Sequence, residues 1–318
     1  MNEPRGRKGT FAGRCMLFCA LICSGLSAAG CGGGTDVAPW PAGDTSYDFD
    51  RPDAAFELDA VLGEISGLAV LGDGTLAAVQ DEDGILYVLD PSTGGIIDER
   101  TFGPPGDYEA VALGAGRLFI LEAGGRLYRF DDWTASALDG SEFELDLPAR
   151  CDGEGLRYDP EGDRLLVSCK ERSGPHLAQE KAVFAFDTAG RLLAERPVYA
   201  LDPRAFAVSV DDHPVNEAVR SMLSERVDLS GLKPSELALH PLTGEIFVLT
   251  SVREAVFSMR RDGSVTGVWK LEDALLEQPE GMDFLPNGDL YISSEAGVGG
   301  RGVLLRFDYR APQQTSTP

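Results

Sequence analysis

Apolar residues along the chain recur in short runs, separated by turns rich in Gly, Asp and Pro. Five segments share one pattern: EISGLAV at 64–70, DYEAVAL at 107–113, DGEGLRY at 152–158, KPSELAL at 233–239 and QPEGMDF at 278–284. After a turn each is followed by a second run: TLAAVQ at 75–80, GRLFILE at 116–122, DRLLVSC at 163–169, GEIFVLT at 244–250 and GDLYISS at 288–294. A third run completes each unit: ILYVLD at 85–90, RLYRFD at 126–131, AVFAFD at 182–187, AVFSMR at 255–260 and VLLRFD at 303–308. Short β-rich runs between tight turns make antiparallel meanders. DEDG at 81–84 therefore reads as a hairpin turn rather than the start of a calcium loop, because the full ligand spacing is absent.

With Ser66, Glu109, Glu154, Ser235 and Glu280 taken as equivalent, the units lie 43, 45, 81 and 45 residues apart. About 45 residues is the length of a four-stranded propeller blade. The long interval contains His213 to Val227, where Val215, Ala218, Val219, Met222 and Leu223 recur at helical spacing and Pro214 suits a first turn. That stretch reads as a helical insertion, with a degenerate sixth blade as the alternative. The last unit lacks an outer strand, because the chain turns polar after Tyr309. A propeller must close its ring, and the spare strand-like stretch Phe56 to Leu62 is placed to complete that blade. The expectation is an all-β, five-bladed propeller over 47–310, with a polar, loose tail at 311–318.

Composition adds an address. Arg5, Arg7, Lys8 and Arg14 precede an apolar run from Met16 to Leu26, and small residues then lead to Cys31. That order describes a secretory signal over residues 1–30, and the apolar run is shorter than the roughly 20 residues that span a bilayer. LSAAGC at 26–31 is similar to a bacterial lipobox, with Cys31 as the lipid-bearing residue; an ordinary signal cut nearby is the alternative. Gly32 rather than Asp after the cysteine points to the outer membrane in a Gram-negative cell. Residues 31–46, rich in Gly and Pro, read as a flexible tether to the cell envelope. Of six cysteines, Cys15, Cys19 and Cys23 fall in the signal. Cys151 and Cys169 remain, near adjoining ends of neighbouring strands, and an exported protein meets an oxidising compartment. A disulfide between them is expected, two free or buried thiols being the alternative.

The formal net charge is −24. Phosphate backbones repel such a surface, so nucleic acid is excluded as a partner. The three histidines, His176, His213 and His240, stand in no metal-ligand spacing, and no G-x-S-x-G elbow occurs.

EISGL at 64–68 with AVQDEDGILYVLD at 78–90, DYEAVA at 107–112, GEGLRYDP at 153–160, DLSGL at 228–232 and PEGMDF at 279–284 together resemble the SdiA-regulated domain family, bacterial envelope proteins related to NHL propellers. The resemblance runs from about Tyr47 to Tyr309, and departs from the family pattern at Ala110, where Gly is usual. It implies a five-bladed propeller and a calcium site, and no established activity.

In a propeller the first strand of each blade lines the axis, so equivalent positions on it face one another. Glu109, Glu154 and Glu280 then converge at one mouth, with Ser66 and Ser235 at the same level and Glu64 and Glu236 close by. The second strand returns to that face, bringing Gln80, Glu122, Glu171, Ser251 and Glu295 to the rim. Crowded carboxylates must either take up protons or hold a cation. Calcium, which accepts many oxygen ligands in loose geometry, suits such a ring better than magnesium. The expected metal ligands are Glu109, Glu154 and Glu280, helped by Glu64, Ser66 and Ser235; the alternative is a wet acidic channel. Two functions follow. One is a binding or scaffold module presenting its face to a protein, glycan or small ligand. The other is a calcium-dependent lactonase- or esterase-like hydrolase, and the absence of Asn and His from the ring positions favours the first.

Overall fold

The computed structural model describes residues 46–170, 181–201, 233–252, 254–271, 276–295 and 300–311. The signal, Cys31, nearly all of the tether, the helical insertion, Glu171 and the tail beyond 311 lie outside the described residues. The chain opens with a short strand, β1 (Ala54–Glu57), and a 3-10 turn at Ala60–Leu62. The first blade follows: β2 (Ile65–Val70), β3 (Leu76–Gln80), β4 (Ile85–Leu89) and β5 (Ile96–Thr101). The second holds β6 (Tyr108–Gly114), β7 (Arg117–Glu122), β8 (Arg126–Phe130) and β9 (Ser141–Glu144). The third holds β10 (Gly153–Asp159), β11 (Arg164–Cys169), β12 (Lys181–Phe186) and β13 (Tyr199–Leu201). The fourth holds β14 (Lys233–Leu239), β15 (Ile246–Val252), β16 (Ala255–Met259) and β17 (Val265–Lys270). The fifth has β18 (Gln278–Phe284), β19 (Leu290–Glu295) and β20 (Val303–Phe307), and takes β1 as its outer strand. The protein is thus a five-bladed β-propeller of four-stranded antiparallel sheets.

Each inner strand is pressed between two neighbouring blades, so it is buried on both faces instead of alternating. Every residue of β3 and of β12 is buried. The outer strand β5, with sequence IIDERT, has no such cover and is largely exposed. Apolar clusters fill all five blade–blade seams. One joins Leu237, Val248 and Phe257 to Leu166 and Val183, and another joins Tyr291 and Leu304 to Leu68, Leu76 and Tyr87. Asp side chains shape the outer turns by accepting the amide N–H two residues on, as Asp73 does from Thr75 (3.0 Å), Asp90 from Ser92 (2.8 Å) and Asp262 from Ser264 (2.9 Å). Part of the acidic excess therefore builds turns.

Ring closure uses fewer residues of the spare stretch than expected. Ala54–Glu57 pairs with β20, Phe56 lying opposite Leu304, whereas Ala60–Leu62 leaves the sheet and turns the chain toward β2. Asp59 forces that exit by accepting the Val61 amide (3.2 Å). A second clasp sits upstream. Tyr47 and Phe49 are buried among Phe247, Trp269, Phe284 and Phe307. The Tyr47 hydroxyl donates to the Gly288 carbonyl (2.6 Å) and meets His240 Nε2 (2.8 Å). His240 Nδ1 accepts the Leu242 and Thr243 amides (3.2 and 3.1 Å), which fixes the proton on Nε2. Burial holds this imidazole down to about 4, so it is neutral near pH 7. His240 and Gly288 both lie in turns between first and second strands, so Tyr47 seats on the face opposite the mouth.

Candidate functional site

Every first strand carries a β-bulge at the ring position. The register shifts between Ile65 and Leu68, Tyr108 and Ala110, Gly153 and Leu156, Pro234 and Glu236, and Pro279 and Gly281. A bulge leaves one residue out of the ladder and re-aims its side chain. The residues so released are Ser66, Glu109, Glu154, Ser235 and Glu280. Glycine follows at three of the five because the first strands crowd there. A Cβ on Gly67 would stand 2.7 Å from the Ala110 Cα, and one on Gly155 would stand 2.9 Å from the Glu236 Cα.

The structure brings Glu109, Glu154 and Glu280 into one electrostatic cluster. Burial pushes Glu109 up to about 9, with Glu154 and Glu280 adding repulsion. Burial likewise raises Glu280 to about 8, assisted by Glu154 and opposed by Lys170 and the Ser235 hydroxyl. Glu154 is 2% exposed, and burial raises it too, against the pull of Lys170. At the rim, Glu295 is lifted to about 7 by burial and by Glu64 and Asp81. Asp81 is raised by burial and by Glu64, Glu82 and Asp107. Ser66 and Ser235 are buried; their hydroxyls donate to the Glu64 carbonyl (3.3 Å) and the Pro279 carbonyl (2.9 Å). Glu64 is exposed at the edge.

Two rim expectations, Gln80 and Glu122, and the placing of Glu236 beside the ring need correction. Glu122 turns away, accepting from the Tyr128 hydroxyl (3.3 Å) and facing Arg126 (3.6 Å). Gln80 folds back to accept the Glu82 amide (2.8 Å). Glu236 is not beside the mouth residues but inside the wall: its Oε1 accepts the Leu156 and Leu237 amides (3.1 and 2.7 Å), Oε2 is buried without a hydrogen-bond partner, and burial pushes the group well upward. Gln80, Glu122, Cys169, Thr250 and Ser294 are the partners of Ile65, Tyr108, Gly153, Pro234 and Pro279, so the rim positions, one residue on, are Asp81, Ala123, Lys170, Ser251 and Glu295.

Two elements were missed from sequence. Lys170 follows β11 and its Nζ bonds both carboxylate oxygens of Glu154 (2.9 and 3.0 Å). Its backbone is held from the Asp152 carbonyl (3.0 Å), beside the disulfide joining Cys151 to Cys169 (Cα–Cα 5.0 Å). The second is the floor of the channel. Arg157 of the third blade bonds Asp283 of the fifth through NH1 (3.0 Å) and NH2 (2.5 Å), and Nε donates to the Leu237 carbonyl of the fourth (3.1 Å). Asp283 also accepts the Val70 amide of the first blade (2.7 Å). This buried pair ties four blades across the axis and closes the channel below the acidic mouth.

The donors at the mouth are hard oxygens, carboxylates and hydroxyls, and burial followed by mutual repulsion disfavours ionising all of them. That chemistry fits a hard cation. Among the described residues, no three Asp, Glu, His or Cys side chains are gathered as a ready-made metal cage, and Lys170 occupies Glu154.

No curated protein matches the sequence. Among solved structures, glutaminyl cyclase of Myxococcus xanthus is similar at 15% identity, covering 82% of this chain and 97% of that one, with a TM-score of 0.53. The luciferin-regenerating enzyme is similar at 9% identity over 82% of this chain and 97% of that one (TM-score 0.47). Virginiamycin B lyase of Staphylococcus aureus is similar at 11% identity over 76% of this chain and 65% of that one (TM-score 0.40). At 15% identity the likeness to the glutaminyl cyclase speaks to the fold alone. At the level of sequence, a family model matches residues 51–298, and the chain belongs to the SdiA-regulated family.

Proposed function

We propose that this chain is an exported binding module, lipid-anchored at Cys31 in the cell envelope, whose acidic mouth holds calcium and presents the propeller face to a protein, glycan or small ligand. The observation that carries the calcium part of the reading is the bulge that each first strand places at the ring position, which releases Glu109, Glu154 and Glu280 from the ladder, with burial raising all three. Such groups ionise fully near neutral pH only when a cation arrives. Glu109, Glu154 and Glu280 would hold it, with Ser66, Ser235 and Glu64 at the margin. The Cys151–Cys169 bond supports an oxidising compartment, and the described chain begins on the face opposite the mouth.

Thermal unfolding of the chelated protein tests this. Calcium should raise the midpoint by mass action, and Glu109→Gln or Glu280→Gln should reduce that rise while preserving the fold. No shift in the parent protein would overturn the calcium reading.

Acid–base catalysis is a second reading, favoured by the same carboxyls, because groups that titrate near the working pH make effective acids and bases. Lactones, aryl esters and peptides with N-terminal glutamine, offered with and without calcium, are the relevant screen. Turnover lost in Glu109→Gln would select catalysis over binding.

A further inference from the structure

We infer that Lys170 is a tethered cation that occupies the mouth in its metal-free state and must withdraw from Glu154 before a divalent ion can bind, so that it sets the affinity of the site. The inference rests on the calcium reading for its second half only.

Its basis is positional. Asp81, Ala123, Lys170, Ser251 and Glu295 are the five equivalent rim residues, and Lys170 is the basic one among them. Its ammonium meets both oxygens of Glu154 (2.9 and 3.0 Å), whose side chain is 3% exposed, while its own is 28% exposed. An ammonium seated on both oxygens of a buried ring carboxylate stands where an added ion would have to reach Glu154.

The residue is also built to move. Its backbone is pinned: the amide donates to Asp152 O (3.0 Å), the carbonyl accepts from Lys181 Nζ (2.8 Å), and Cys169 beside it is fixed to Cys151. The side chain, by contrast, is a flexible four-carbon stem running to a partly exposed head. It can swing toward solvent without disturbing the sheet. A fixed root with a head held only by the Glu154 ion pair describes a competitor that yields to a stronger one. A divalent ion, with twice the charge and several oxygen ligands, is such a competitor.

Two measurements separate this inference from the calcium reading. In the first, metal-free Lys170→Ala is melted with and without ethylammonium chloride, using sodium chloride as the ionic-strength control. Ethylammonium should restore stability saturably in the variant and leave the parent unaffected. In the second, calcium affinity is compared by calorimetry in the parent, Lys170→Met and Lys170→Arg. Lys170→Met should bind at least about tenfold more tightly, since a unit charge a few ångströms away is removed from a poorly solvated site. Lys170→Arg keeps the charge and should stay near the parent. If the parent binds calcium and Lys170→Met binds no tighter, the inference is overturned and the calcium site stands. If no variant binds calcium yet ethylammonium rescues Lys170→Ala, the tethered cation stands and the calcium reading falls. Failure of rescue together with absent calcium binding removes both. Lys170→Gln, uncharged and polar, replaces Lys170→Met should the latter fail to fold.

Discussion

Asp283→Asn probes whether the axial pair holds the ring together. The substitution preserves shape but removes the counter-ion of Arg157, whose side chain is 10% exposed while that of Asp283 is 7% exposed. Removing one partner of a buried pair leaves an uncompensated charge and costs about 3–5 kcal/mol. The amide also loses one of the two acceptor oxygens shared among Arg157, the Val70 amide and the Phe284 amide. Native domains are stable by only about 5–15 kcal/mol, so the variant should unfold at a much lower urea concentration with an unchanged slope. Arg157→Met alone should cost a similar amount, because it strands Asp283. The double variant should recover a large part of both losses, giving a coupling energy of at least about 1 kcal/mol in a double-mutant cycle. A single-variant loss below about 1 kcal/mol, or strict additivity, would refute the clasp and place ring closure on the apolar seams alone.

Three further outcomes follow from the structure. Replacing Cys151 and Cys169 by Ser opens a loop whose ends are 18 residues apart and should lower stability by about 3 kcal/mol in denaturant titration; an unchanged midpoint would count against a structural bond. A chain shortened to begin at Leu58 loses β1 and the Tyr47–Phe49 clasp, exposes the edge of β20 and should melt well below the parent, so equal melting contradicts this closure. The third concerns pH. Glu109, Glu280 and Glu295 are raised from 4.5 to about 9, 8 and 7, so the folded chain holds more protons than the unfolded one between those limits. Their contribution is present in full below about pH 4.5 and is lost as pH rises through 7 to 9. Melting points in chelator should therefore fall from pH 6.5 to 9, and a flat or rising profile in that window would contradict the raised carboxyls. His240, lowered from 6.5 to about 4, works in the opposite sense, but its contribution is nearly complete at pH 6.5 and adds less than about 0.5 kcal/mol above it.

The blades were legible because a rotational repeat writes its strands in sequence several times over. It also exposed Glu109, Glu154 and Glu280, since equivalent positions in a ring must share one radius. Lys170 was not legible. Cys169 pairs with Gly153 as Gln80 pairs with Ile65, so the rim position of the third blade is Lys170, which apolar patterning along β11 does not mark. Gln80 and Glu122 pair with Ile65 and Tyr108 inside the ladder, so they fall one place short of the rim. Arg157 and Asp283 gave no periodic sign. They belong to single blades and meet across 126 residues of chain, which a pattern shared by all blades cannot disclose. The closing strand was visible as an apolar stretch, but Asp59, which turns the chain out of the sheet, set its end earlier than hydrophobicity alone suggested.

The exchange of protons for calcium at the mouth is the central claim, and calorimetry at pH 7 in buffers of different ionisation enthalpy measures it directly. Glu109 and Glu280, raised to about 9 and 8, are mostly protonated there, and a bound ion requires them ionised. Binding should release about one to two protons per calcium, and Glu109→Gln should reduce that number. Binding heat that is independent of the buffer, or no binding heat at all, would contradict the account.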